Sequence, residues 1–150
     1  MEIGSAAPAV ASSELSVDAP REVVWRVLTD IAAWPSWNSD VKSVEVDGPL
    51  APGTTFRWKA GPGTITSTLR GIEAPRRIEW TGKTFGIDAI HVYELEERDG
   101  ATSVRSAESW NGLVVRLFRR SLQKSLQRST DAGLQHLKAE AERRAAADAD

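Results

Sequence analysis

His91, Tyr93 and Glu108 are the side chains of this sequence best equipped to hold and pass a proton. An imidazole titrates near neutrality, and a carboxylate out of water is pushed upward, so the two together could do acid/base work. They could equally satisfy each other as a polar pair that orders the wall of a cavity. The chain has no cysteine, which excludes disulfides, a thiolate nucleophile and cysteine-held zinc or iron–sulfur centres. No serine or threonine stands in a recognisable nucleophile motif, and no oxyanion hole is evident. His136, the only other histidine, falls at the edge of a helical apolar stripe and reads as a helix-surface residue. Two distant histidines without an HxxxH-like pair or an Asp-rich loop give no metal first shell, so neither metal nor cofactor is expected. Gly48-Pro49 and Gly61-Pro62-Gly63 are turns and not phosphate cradles, because neither leads into a helix.

These side chains need elements to aim them. Residues 41–46, 54–60, 64–72, 76–82, 88–96 and 101–110 are short β-like runs separated by Gly, Pro and Asp, the pattern of an antiparallel meander. Asp99-Gly100 between two alternating runs signals a tight hairpin. Counting outward from it, His91 and Glu108 lie at similar distances, opposite or one diagonal apart. Strand alternation puts His91, Tyr93 and Leu95 on one face, with Val104, Ser106, Glu108 and Trp110 on the same one. By the same rule Phe56 and Trp58 oppose Arg57 and Lys59, and Ile78 and Trp80 oppose Arg77 and Glu79.

A further strand is expected near residues 12–17, giving seven. A short helix follows, with Asp18 as N-cap, Pro20 in the first turn and an apolar face of Val23, Val24, Val27, Leu28 and Ile31; Pro35 breaks it. From about Val114 to Arg143 one uninterrupted helix is expected, its buried stripe formed by Val115, Phe118, Leu122, Leu126, Ser129, Gly133 and Leu137. Arg116, Arg120, Lys124 and Arg128 lie opposite. Ser129 and Gly133 leave room on that stripe for close helix–sheet packing or for a cavity floor. One domain over residues 1–150 is expected, with residues 1–11 and 143–150 as loose ends.

The chain has 150 residues, 41% hydrophobic and 27% charged, in the range of globular chains that fold in water. A formal net charge of -2 offers no positive field for nucleic acid. No segment has the apolar length of a transmembrane helix or the pattern of a secretory signal, so a cytoplasmic address without stable membrane insertion is expected. Six tryptophans against three phenylalanines and one tyrosine suit core corners and cavity walls.

The runs Val17-Asp18-Ala19-Pro20, Val24-Trp25, Leu28-Thr29-Asp30 and Trp34-Pro35-Ser36-Trp37-Asn38 resemble the opening of the polyketide cyclase/dehydrase group of the START-like superfamily. Gly53-Thr54-Thr55-Phe56, Ala74-Pro75-Arg76-Arg77-Ile78-Glu79-Trp80, His91-Val92-Tyr93-Glu94-Leu95 and Glu108-Ser109-Trp110-Asn111-Gly112 extend the likeness over nearly everything from Ser12 to Leu137. The resemblance implies an α+β helix-grip fold: a curved seven-stranded antiparallel sheet around a long C-terminal helix, with two short helices after the first strand. It also implies an apolar ligand or, in some members, cyclisation or dehydration chemistry; a fold shared by carriers and enzymes does not assign either.

The leading expectation is a monomer or weak homodimer that binds a small apolar molecule between sheet and helix. Phe56, Trp58, Leu69, Ile78, Trp80, Tyr93, Trp110, Phe118 and Leu122 would form the walls. Trp37 would gate or plug the mouth, and His91 and Glu108 would fix the polar end. A cyclase- or dehydratase-like enzyme using His91, Tyr93 and Glu108 is the second expectation, and a chaperone-associated or regulatory interaction domain the third.

Overall fold

Seven strands, β1 (Ala9–Val17), β2 (Val41–Val46), β3 (Thr55–Ala60), β4 (Gly63–Glu73), β5 (Arg77–Thr84), β6 (Ile87–Arg98) and β7 (Ala101–Asn111), form the computed structural model's single antiparallel sheet, ordered β1-β7-β6-β5-β4-β3-β2. The structure describes residues 6–61 and 63–148. The hairpin at Asp99-Gly100 forms as expected. Both residues have positive φ, 52° and 82°, the left-handed pair whose twist matches that of the flanking strands. It fixes Arg98 opposite Ala101 and, seven residues along each strand, His91 opposite Glu108. β1 returns to lie beside β7, with Leu15 opposite Val104. β1 begins at Ala9, earlier than the sequence suggests, because Ala9 and Ala11 are small enough to be buried against Val115 and Leu126.

After β1 comes α1 (Arg21–Thr29), which buries Val23, Val24, Trp25, Val27 and Leu28. Asp18 does not cap it. Pro20 holds the N-cap position without a side-chain bond, and the Asp18 N–H donates to the Glu142 carboxylate at 2.7 Å. A 3-10 turn over Ile31–Ser36 follows, with Pro35 inside it.

The C-terminal helix departs from expectation at its start. It is divided into α2 (Leu113–Leu117) and α3 (Arg119–Asp148) at Phe118, whose φ of -114° and ψ of 38° leave the helical region. The break resets the helical phase. Val115 is buried, but Phe118 is 60% exposed instead of facing the sheet. Further along, Ser129 is exposed and Thr130 takes its place in a buried stripe of Leu126, Thr130, Leu134, Leu137 and Ala141. No break occurs at Gly133. Residues 143–148, expected to be loose, stay helical, with Arg143 and Arg144 both paired to Glu140; 149–150 and 1–5 lie outside the described residues.

One flank of α3 runs along β1. The Gln123 side chain accepts from Val10 N–H and donates to Val10 C=O, Gln127 donates to Ser12 C=O, and Lys138 donates to Ser16 C=O. The main core joins α1, the 3-10 turn, the inner sheet face and the C-terminal half of α3. A smaller cluster of Ala9, Ala11, Val115 and Leu126, with Ile87, Trp110 and Leu122 packed on it, holds the other end of the helix.

Candidate functional site

The inner face of β6 and β7 carries a continuous chain of hydrogen bonds. His91 Nδ1 lies 2.8 Å from Glu108 Oε1, and His91 Nε2 lies 2.8 Å from Ser106 Oγ. Trp110 Nε1–H donates to the other carboxylate oxygen of Glu108. Ser106 also bonds the Tyr93 hydroxyl. The donors have one consistent order. A carboxylate only accepts, so Nδ1 of a neutral His91 carries the proton and Nε2 accepts from Ser106. The His91 and Trp110 donors converge on Glu108.

The setting differs along this chain. Ser106 is wholly buried and Tyr93 nearly so, whereas the His91 and Glu108 side chains keep 13% and 16% of their surface open. The His91–Glu108 end is therefore the end open to solvent. Burial pushes the Tyr93 phenol up to about 12, with the Glu108 charge adding to the rise and the Ser106 bond opposing it. Rings surround the pair. The His91 ring stacks on Tyr93 with centroids 4.6 Å apart and lies 4.9 Å from Trp80.

His91, Tyr93, Glu108 and Trp110 are thus brought together as their alternation predicts. Trp80 sits beside them, 4% exposed, and Trp58 is half-buried with its N–H bonded to Ser67 Oγ at 3.0 Å. Phe56, Leu69 and Ile78 have no exposed surface and pack as core. Trp37 is a half-buried corner plug against that core. Leu122 packs with Trp110 in the smaller cluster, and Phe118 points away from the interior altogether. His136 pairs with Asp40 at 3.4 Å. Among the described residues no three His, Asp or Glu side chains gather as a metal would require.

The space expected to be a cavity is largely filled. Trp34 reaches in from the 3-10 turn and meets Phe56 and Trp58 edge-on at 5.6 Å and Trp80 at 5.5 Å, its N–H donated to Leu28 C=O. Gly133 on α3 faces the Tyr93 hydroxyl so closely that a Cβ there would lie 3.5 Å from it, which is close helix–sheet packing. Surface hollows of about 180 Å³, among Val23, Arg26, Arg143, Arg144, Ala147 and Asp148, and about 350 Å³, among Ala6, Pro8, Arg116 and Arg119, involve none of the relay residues. Ser106 is the site residue that the sequence reading did not single out. Its signal was its parity with Glu108 and its register opposite Tyr93.

A seven-stranded antiparallel sheet wrapped on a long C-terminal helix, with a polar relay on its inner face, defines a helix-grip protein of the START-like superfamily. The chain belongs to the family described as polyketide cyclase / dehydrase and lipid transport, whose model matches residues 8–142. Solved structures share the fold. Hypothetical protein jhp0584 from Helicobacter pylori is 18% identical, with a TM-score of 0.82 over 93% of this chain and 91% of that one. The Zhui aromatase/cyclase from Streptomyces sp. R1128 is 19% identical, with a TM-score of 0.74 over 90% and 94%. Ara h 8.0201 is 12% identical, with a TM-score of 0.74 over 88% and 96%. No curated protein matches the sequence.

Proposed function

We propose that this protein binds a small, largely apolar molecule carrying one polar group, with that group at His91 and Glu108. The observation that carries the reading is the relay itself. Its inner members are buried and satisfied, while its outer pair stays partly open within a wall of Trp80, Tyr93 and Trp110. Such a wall supplies affinity through buried apolar area, roughly 25 cal/mol per Å², and the few polar groups supply orientation. The family description, which includes lipid transport, supports the same class of ligand. Entry requires the Trp34 cluster to yield, so binding should change tryptophan emission. An environment-sensitive apolar dye tests this. Saturable binding weakened by Trp110→Ala and His91→Ala in folded protein is the expected result; equal binding in both variants would remove the site.

A second reading is a cyclase- or dehydratase-type reaction, favoured by the contact of His91 with the Glu108 carboxylate at 2.8 Å. If Glu108 and His91 took a proton from a bound polyketide-like chain, Ser106 and Tyr93 could reorient behind them without opening the interior. A pH–rate profile whose inflection disappears in His91→Ala would select the enzyme, and identification of an unchanged co-purifying lipid by native mass spectrometry would select the carrier.

A further inference from the structure

At one end of the molecule the surface is both apolar and basic. Phe85, Leu113, Leu117 and Phe118 are 83%, 71%, 69% and 60% exposed, an unusual concentration of large apolar side chains in water. They come from two elements that touch. A Cβ on Gly86 would lie 2.9 Å from Val114, and one on Gly112 would strike the Gly86 carbonyl, so the β5–β6 turn and the start of α2 form one surface. The break at Phe118 turns that ring outward. From Gly112 to Thr130 there are five basic residues, Arg116, Arg119, Arg120, Lys124 and Arg128, and no acidic one; on the adjoining β5–β6 hairpin the exposed Asp88, opposite Asn111, is offset by Lys83 at 3.9 Å. The chain as a whole is net negative, so this patch opposes its background.

We infer that this end docks on the surface of an anionic phospholipid bilayer. Exposed Leu and Phe side chains entering the acyl boundary, with arginines at headgroup level, form the two-part signature of an interfacial site. Charge complementarity selects anionic lipid over a neutral surface and over a second copy of this chain, whose facing patch would be equally positive. No helix of the described residues is long and apolar enough to cross a membrane, so the contact is peripheral. The inference is independent of the ligand reading.

Vesicle co-sedimentation of the full chain decides it. The protein should pellet with phosphatidylcholine vesicles containing phosphatidylserine, should remain in solution with phosphatidylcholine alone, and should be released by salt. Leu117→Ser with Phe118→Ser, both exposed and therefore compatible with the fold, should weaken partition about tenfold or more. Arg116→Gln and Arg120→Gln should each weaken it about fivefold. Arg26→Glu, which lies near Asp148 at the far end of α3 and thus roughly 45 Å away, should change nothing. Unfolding midpoints close to the parent's establish that the variants are folded. Absence of binding to anionic vesicles at low salt would overturn the inference, as would binding that ignores the Leu117/Phe118 change. Sedimentation as a dimer that the same change dissociates, without vesicle binding, would assign the patch to self-association and also overturn it.

Discussion

Tyr93 is the only tyrosine in the chain, so phenolate absorbance reports on it alone. Its titration should centre at about 12 and not at the ordinary 10.0, because the buried phenol resists ionisation. The folded value is raised, so the corresponding stability is fully present below the unfolded value and is lost as pH rises through the folded one. Tyr93→Phe should therefore flatten the alkaline decline in the urea midpoint; an unchanged decline would locate it elsewhere. Glu108→Gln probes the other end of the relay. Two donors, His91 Nδ1–H and Trp110 Nε1–H, converge on two carboxylate oxygens, and an amide offers only one acceptor. Either the His91 N–H faces an NH₂ group, or its proton moves to Nε2 and Ser106 must turn away, and both outcomes cost about 1–3 kcal/mol in urea unfolding. A variant as stable as the parent would show that the pair is not held as described. This pairing was legible in the sequence, since strand parity and a two-residue turn leave little freedom in register. The face that Ser106 occupies was legible by the same parity, but its bonds were not, because a hydroxyl's partners depend on how neighbouring donors are oriented.

Among the elements, the seven strands were legible from punctuation and alternation, and α3 from its long amphipathic run. The division at Phe118 was not, because neither Gly nor Pro marks it and the apolar spacing continues through it. The same holds for the filled interior: Trp34 sits in a loop motif, and nothing in its spacing says that it reaches the centre of the sheet. The last turns of α3 persist because of charge. Hydrogen bonds from Arg143, then Arg144, hold the Glu140 carboxyl down to about 2. Its folded value is depressed, so this stabilisation is present above the ordinary 4.5 and is lost as pH falls toward 2. Glu140→Gln should remove that acid-side loss, measured as urea midpoints compared across the same pH interval. Identical acid limbs in the two proteins would show that the arginines do not hold the helix end.

At the scale of the whole molecule, an open sheet has two edges, and β1 is one of them. On β1 the even-numbered residues turn their N–H and C=O groups outward, away from β7, where another chain could pair with them. The structure meets this hazard with side chains from α3. Gln123 occupies both groups of Val10, Gln127 and Lys138 take the carbonyls of Ser12 and Ser16, and Glu142 takes the Asp18 N–H just beyond the strand. A glutamine side chain is itself an amide, so at Val10 it imitates the missing neighbour strand. The helix therefore does more than bury Leu126, Leu134 and Leu137: it closes the sheet where the meander leaves it open. Replacing Gln123 and Gln127 by Ala should cost about 1 kcal/mol per lost bond and uncover the upper half of the edge. The double variant should then associate more steeply with concentration than the parent in sedimentation equilibrium, while its far-ultraviolet circular dichroism stays native. If it sediments as the parent does, the edge is guarded by the short exposed stretch and by Glu14, whose carboxylate accepts from Ser103, and the glutamines serve stability alone.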